Sequence, residues 1–130
     1  MQFTKDLVEA ILAGRKTHTR RPAKGGEALV MSSSFCVYKD YFSDTARLKW
    51  EVGRTYAVQP GRGKRAVARF LLKNLRQEVV SHITEEDAIA EGFDNREEFF
   101  AKWRELYDGT EFDLKHNPNV WVLEFEVVSG

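Results

Sequence analysis

The chain is poor in the residues that most often carry recognisable chemistry. It has one cysteine, Cys36, in 130 residues. A single thiol excludes an internal disulfide and a zinc site built on cysteines. Its three histidines, His18, His82 and His116, lie far apart, without the HExxH spacing of a metal-binding helix. No metal and no cofactor is therefore expected. No GxSxG turn marks a serine nucleophile. There are only three prolines, no internal repeat and no low-complexity linker, so a single domain over residues 1–130 is expected. No apolar run is long enough to span a bilayer. The opening MQFTKDLVEA lacks the basic-then-apolar layout of a signal peptide. These absences lead us to expect a cytoplasmic protein with no membrane partner. At 42% hydrophobic and 31% charged, the composition is that of a folded chain rather than a disordered one.

Net charge is also missing, but the zero conceals a division. Residues 1–77 hold 16 Lys/Arg and 6 Asp/Glu, a balance of +10, and residues 78–130 hold 4 and 14, a balance of −10. From Val52 to Gln77 there are seven basic residues and no acid. A chain divided in this way can present a basic face to a polyanion despite its neutral total. The alternative is that the two halves neutralise each other in the fold.

The densest basic stretch is Gly14-Arg15-Lys16-Thr17-His18-Thr19-Arg20-Arg21-Pro22. Before it, Leu7, Val8, Ile11 and Leu12 recur at helical spacing, with Thr4 as N-cap and Gly14 where a C-cap glycine belongs. Pro22 stops any regular element that needs its N–H. An extended segment is expected after the helix. In such a segment Lys16 and His18 point one way and Thr17 and Thr19 the other, so Lys16 and Thr19 meet only if the chain bends. The bland reading is a solvated basic turn.

Further along, Lys24-Gly25-Gly26 reads as a turn, and Ala28–Met31, Phe35–Tyr38 and Thr55–Val58 read as short strands. Tyr41–Trp50 is ambiguous. Gln59–Arg65 is a glycine-rich basic loop. It lacks the GxxxxGK[ST] spacing of a phosphate-cradling loop, and a strand, Ala66–Leu72, follows where that motif needs a helix. A hairpin tip carrying Arg62, Lys64 and Arg65 is the better description, suited to contact with a phosphate backbone. Arg76–Ile83 is read as continuing the sheet. Thr84-Glu85-Glu86-Asp87 opens a short helix ending near Glu91-Gly92. Asn95 caps a second helix, with Glu98 in the capping-box position and Phe99, Phe100, Trp103, Leu106 and Tyr107 as its core face. Asp108–Asn119 reads as a polar loop. Val120–Val128 closes the chain as a strand, with Trp121, Leu123, Phe125 and Val127 on one face and Val120 and Val122 on the other.

Three blocks together resemble the ASCH family, whose fold is similar to the PUA domain of RNA-binding proteins. They are Ile11 through Arg21, carrying G-x-K-T-x-T-x-R; Ile83 through Phe93, carrying T-E-E-D-A-x-x-E-G-F; and Val120-Trp121-Val122-Leu123-Glu124-Phe125. The resemblance spans nearly the whole chain. It implies an α+β fold: a small, partly open PUA-like β-barrel of about five or six strands flanked by helices, with a cleft beside the first helix. It also implies binding of RNA, single-stranded or modified, or of a nucleotide or nucleoside. One bacterial branch hydrolyses the acetamide of N4-acetylcytidine with a Lys, a Thr and a Glu. Matched by motif, these fall on Lys16, Thr19 and Glu91. In that role Thr19 would be the nucleophile, Lys16 its base, and Glu91 a positioning group or proton shuttle. Arg15, Arg20, Arg21, Arg62, Lys64 and Arg65 would contact nucleic acid. The basic tip and the longer aromatic helix depart from that branch and suit a larger substrate. Three functions stay open at this point: an RNA- or nucleotide-binding domain with a basic cleft, an amidohydrolase acting on acetylated cytidine, and a protein-interaction module steered by the charge division.

Overall fold

The computed structural model describes all 130 residues. Helix α1 covers Lys5–Leu12 and buries Val8, Ala10 and Ile11. Thr4 sits at its N-cap in extended conformation but makes no side-chain capping bond. Gly14, at φ +78°, ends the helix as expected, because a side chain is strained in that left-handed region. Strand β1, His18–Pro22, follows. Next come β2, Ala28–Met31; β3, Phe35–Lys39; β4, Arg47–Glu51; β5, Thr55–Val58; and β6, Ala68–Val79. Helices α2, Glu85–Ala90, and α3, Arg96–Tyr107, precede the last strand, β7, Asn119–Ser129. No helix is long and apolar enough to cross a membrane.

The strands form two antiparallel sheets, one ordered β1-β7-β6-β5 and the other β2-β3-β4. The architecture is thus α+β and open, with seven strands rather than five or six; the added strand, β4, comes from the ambiguous Tyr41–Trp50 piece. Strand β7 lies between two cores. Trp121, Leu123 and Phe125 face a cluster with Phe70, Leu72, Val37, Trp50 and the α1 residues Val8 and Ile11. Val120 and Val122 face Phe99, Trp103, Ala88 and Ile83. Each large apolar side chain taken out of water contributes roughly 1.5–3 kcal/mol. This two-sided burial is the pattern expected for Val120 and Val122, and it makes β7 the element that joins the cores.

Two expectations change. Ala66–Leu72 and Arg76–Ile83 are not separate strands, because β6 runs through Lys73 and Asn74 without a break. The register against β7 shifts between Leu72 and Asn74 instead, so a bulge absorbs the irregularity that would otherwise end the strand. Beyond Val79 the chain leaves the sheet in a short helical turn, Val80–His82. Val80 and Ile83 are then buried against α3 rather than paired in the sheet. The second change concerns the aromatic face of α3. Phe99 and Trp103 are buried as expected, but Leu106 is 53% exposed, since the end of α3 overhangs a cavity instead of a core.

Candidate functional site

The basic stretch reaches its position by a bend at the end of α1. The amides of Arg15 and Lys16 both donate to the Ala10 carbonyl, at 2.9 and 3.1 Å. The Thr17 amide donates to Ala90 O at 2.7 Å, and Thr17 O accepts from the Phe125 amide at 2.9 Å. The turn is therefore tied to the end of α2 and to β7 before β1 begins. Lys16 lies outside the strand, strict alternation does not apply to it, and Lys16 and Thr19 line one cavity.

Glu91 is the C-cap of α2. Gly92 follows at φ +101°, where a Cβ would lie 3.3 Å from Lys16 Cβ and 3.4 Å from Ala10 Cβ. The missing side chain lets the end of α2 close against α1. Lys16, Thr19 and Glu91 are 2%, 4% and 3% exposed. The Lys16 ammonium donates to His18 O at 2.6 Å and to Glu91 O at 2.9 Å, and stands 3.6 Å from Glu91 Oε1. Burial pulls its pKa down to about 8, against the attraction of Glu91 and with help from Arg21 and Arg20. No hydrogen bond joins Lys16 to Thr19; the threonine oxygen accepts a long bond, 3.4 Å, from Arg21 Nε.

The two neighbouring arginines have opposite surroundings. Arg20 is enclosed by carboxylates. Its Nη1 donates to Glu91 Oε2 at 3.0 Å, and its Nη2 donates to Glu78 Oε1 at 3.0 Å and to Asp87 Oδ2 at 2.9 Å. Burial disfavours the Arg20 charge, but Glu91, Glu78 and Asp87 outweigh it and raise the pKa. Arg76 joins this network through Asp87, Glu78 and Glu124. Arg21 pairs with no carboxylate. Its guanidinium lies 4.9 Å from the centre of the Phe3 ring and donates to the Gln2 carbonyl at 2.7 Å. Burial lowers its pKa, opposed by Tyr107 and Glu91. His18, beside Glu124 at 3.0 Å, is also lowered by burial, which outweighs that carboxylate.

The cavity has a volume of about 380 Å³, within the range of small-molecule sites. Phe3, Trp103 and Tyr107 supply aromatic wall, and Pro60 and Gly61 bring the basic hairpin to its edge. Arg62, Lys64 and Arg65 on that tip are exposed, as is Arg15, and none of the four meets an acid. The charge division is thus resolved in both ways. Lys16, Arg20, Lys73 and Arg76 pair with acids of the second half, while the tip and Arg15 remain free on the surface.

Nothing in the residue pattern singles out Glu78 and Asp87, which fix Arg20 and through it the Glu91 carboxylate. Asp87 was legible only as a capping-box residue. Its amide does take the Thr84 Oγ1 bond, at 3.0 Å, but its carboxylate goes to Arg20 and Arg76. Phe3 and Tyr107 were not visible as cavity walls either, because pattern marks an aromatic as apolar without saying whether protein or space lies opposite.

No family model matches the sequence, and no curated protein does. The likeness is to solved structures. A protein of Enterococcus faecalis V583 assigned to the family DUF984 is 18% identical, with a TM-score of 0.65, covering 98% of this chain and 78% of that one. The ASCH domain from Lactobacillus crispatus JV V101 is 17% identical, with a TM-score of 0.57 and coverage of 95% and 71%. The hypothetical protein PH0355 is 17% identical, with a TM-score of 0.61 and coverage of 98% and 96%. At these identities the likeness concerns the fold, and the fold is that of the ASCH domain.

Proposed function

We propose that this ASCH-fold chain binds RNA or a nucleotide by taking one base into the cavity of Lys16, Thr19 and Glu91. One observation carries the reading: three buried polar side chains converge on a partly aromatic cavity of about 380 Å³. Their bonds within the protein leave hydrogen-bonding capacity over, above all at the Thr19 hydroxyl, which is held only by the 3.4 Å bond from Arg21 Nε, and a base edge offers donors and acceptors to match it. The Thr19 hydroxyl can donate or accept, the ammonium donates and the carboxylate accepts. Phe3, Trp103 and Tyr107 supply ring faces and edges for a planar ligand. The exposed Arg15, Arg62, Lys64 and Arg65 would meet phosphates outside. Titrating the protein with cytidine, with cytidine monophosphate and with a short oligoribonucleotide, while following tryptophan fluorescence, tests this. Saturable binding that is lost in Thr19→Val supports it, and no binding of any probe at millimolar concentration overturns it.

A second reading is hydrolysis of the N4-acetyl group of acetylated cytidine. The observation favouring it is the Lys16 pKa of about 8, which leaves an appreciable neutral fraction slightly above neutrality. Neutral Lys16 Nζ would take the Thr19 hydroxyl proton as Oγ attacks the acetyl carbonyl carbon. The C–N bond then breaks, the proton passes to the departing cytosine amine, and water releases acetate from the threonine ester. Glu91 would hold Lys16 in place or carry the proton. Because Lys16 now donates to two carbonyls, it would have to release one to reach Thr19. Conversion of N4-acetylcytidine to cytidine, followed by chromatography and abolished in Lys16→Ala, would establish this chemistry. Absence of turnover in the unmodified protein removes it and leaves the binding reading in place.

A further inference from the structure

Against the cavity of Lys16 and Thr19 lies a second, larger one of about 730 Å³. The two share Gln2, Arg21, Leu106 and Tyr107 as wall. The second chamber is aromatic, with Trp50, Tyr56 and Phe112 beside Tyr107, and Lys24 and Lys49 are at its edge. Lys49 is held by Glu27 and sits 4.5 Å from the Trp50 ring centre. Lys24 is exposed and pairs with no acid.

Arg21 stands in the shared wall. It makes two hydrogen bonds, to the Gln2 carbonyl and to Thr19 Oγ1, and meets no carboxylate. The neighbouring Arg20 collects three. The carboxylates of this region, Glu78, Asp87 and Glu91, are shared among Arg20, Arg76 and Lys16, and none of them reaches Arg21. A guanidinium stacked on an aromatic ring with donors to spare is well shaped for a phosphate.

We infer that the site is built for two consecutive nucleotides, with one base in the inner chamber, its neighbour in the outer chamber, and the joining phosphodiester on Arg21. This rests on the nucleotide-binding reading above and narrows it, since a free nucleoside would leave Arg21 and the outer chamber unused. The base of the inner unit meets Lys16, Thr19 and Glu91. The phosphodiester meets the Arg21 donors that no protein atom uses. The second base lies among Trp50, Tyr56 and Phe112, where stacking is tolerant of sequence.

The test compares three ligands on the intact protein at one salt concentration: cytidine, the dinucleotide cytidylyl-cytidine, and the same dinucleotide with a neutral methylphosphonate linkage. The dinucleotide is expected to bind more than about tenfold tighter than cytidine, and the neutral linkage to lose most of that gain. In Arg21→Gln the ratio of dinucleotide to cytidine affinity should fall toward one. A deoxyribo-dinucleotide run in parallel identifies the strand type by which of the two binds tighter. Equal affinity for cytidine and both dinucleotides overturns the two-nucleotide inference while the base-binding reading stands. So does a gain that survives the neutral linkage. No binding of any ligand overturns both. The neutral-linkage comparison uses unmodified protein, so a poorly folding Arg21 variant would not obscure the answer.

Discussion

Lys16 should reveal itself in the pH dependence of stability. Its pKa falls from 10.5 to about 8 on folding because burial disfavours the charge. Below about pH 8 the folded and unfolded chains both hold the proton, and stability does not depend on this group. Between about pH 8 and 10.5 the unfolded chain binds more protons than the folded one, so unfolding free energy rises with pH. At 1.36 kcal/mol per pKa unit the rise totals roughly 3 kcal/mol. Lys16→Met removes the titrating group with little change of volume. Urea unfolding of both proteins should be followed by circular dichroism from about pH 7 to about pH 11. The difference between their unfolding free energies cancels other titrations and isolates Lys16. It should be flat at the acid end, climb in favour of the unmodified protein above about pH 8, and level off near pH 10.5. The lost bonds to His18 O and Glu91 O set a constant offset beneath that curve. A difference that stays flat throughout, or falls with pH, would refute the claim that the fold holds this lysine at a cost.

Three other outcomes follow from the same geometry. Arg20→Leu takes the buried partner from Glu78, Asp87 and Glu91 at once, leaving them only Arg76 and Lys16, and should cost about 3–5 kcal/mol in denaturant unfolding; Arg20→Lys should recover little, because one ammonium cannot span three carboxylates. Gly92→Ala places a methyl 3.3 Å from Lys16 Cβ at φ +101° and should destabilise by about 1–2 kcal/mol; an unchanged melting temperature would contradict the close approach. Exchanging Arg62, Lys64 and Arg65 together for Gln should leave stability within about 0.5 kcal/mol and flatten the salt dependence of RNA binding by up to about three ion equivalents. An unaltered slope would show that the tip touches no phosphate.

The parts legible in the sequence were those decided locally. Thr84 and Asn95 cap their helices through side-chain oxygens, and Gly14 takes its left-handed turn, because each depends on a few neighbouring residues. The alternation of β7 told which faces are buried for the same reason. What could not be read depended on distant partners. The pairing of Arg20 with Glu78, Asp87 and Glu91 joins three separate segments, and nothing in the basic stretch distinguishes Arg20 from Arg21. The run of β6 through Lys73 and Asn74 was hidden because a bulge shifts register without a breaker residue. Strand alternation alone puts Lys16 and Thr19 on opposite faces, and the bend that defeats this depends on bonds to Ala10 and Ala90.

Strand β1 lies at the edge of its sheet, and its partner in that sheet is β7. During synthesis β1 emerges well before β7, so the cationic segment must wait, hydrated and unpaired, until β7 follows. Pairings this distant are slow to form. Any nascent or truncated product lacking Val120–Phe125 would carry the motif without the cavity and expose Lys16 and Arg20 to solvent. Hydrogen exchange at Thr19 and Arg20 would then report the docking of β7, and a binding assay on fragments without it would see only a flexible basic peptide.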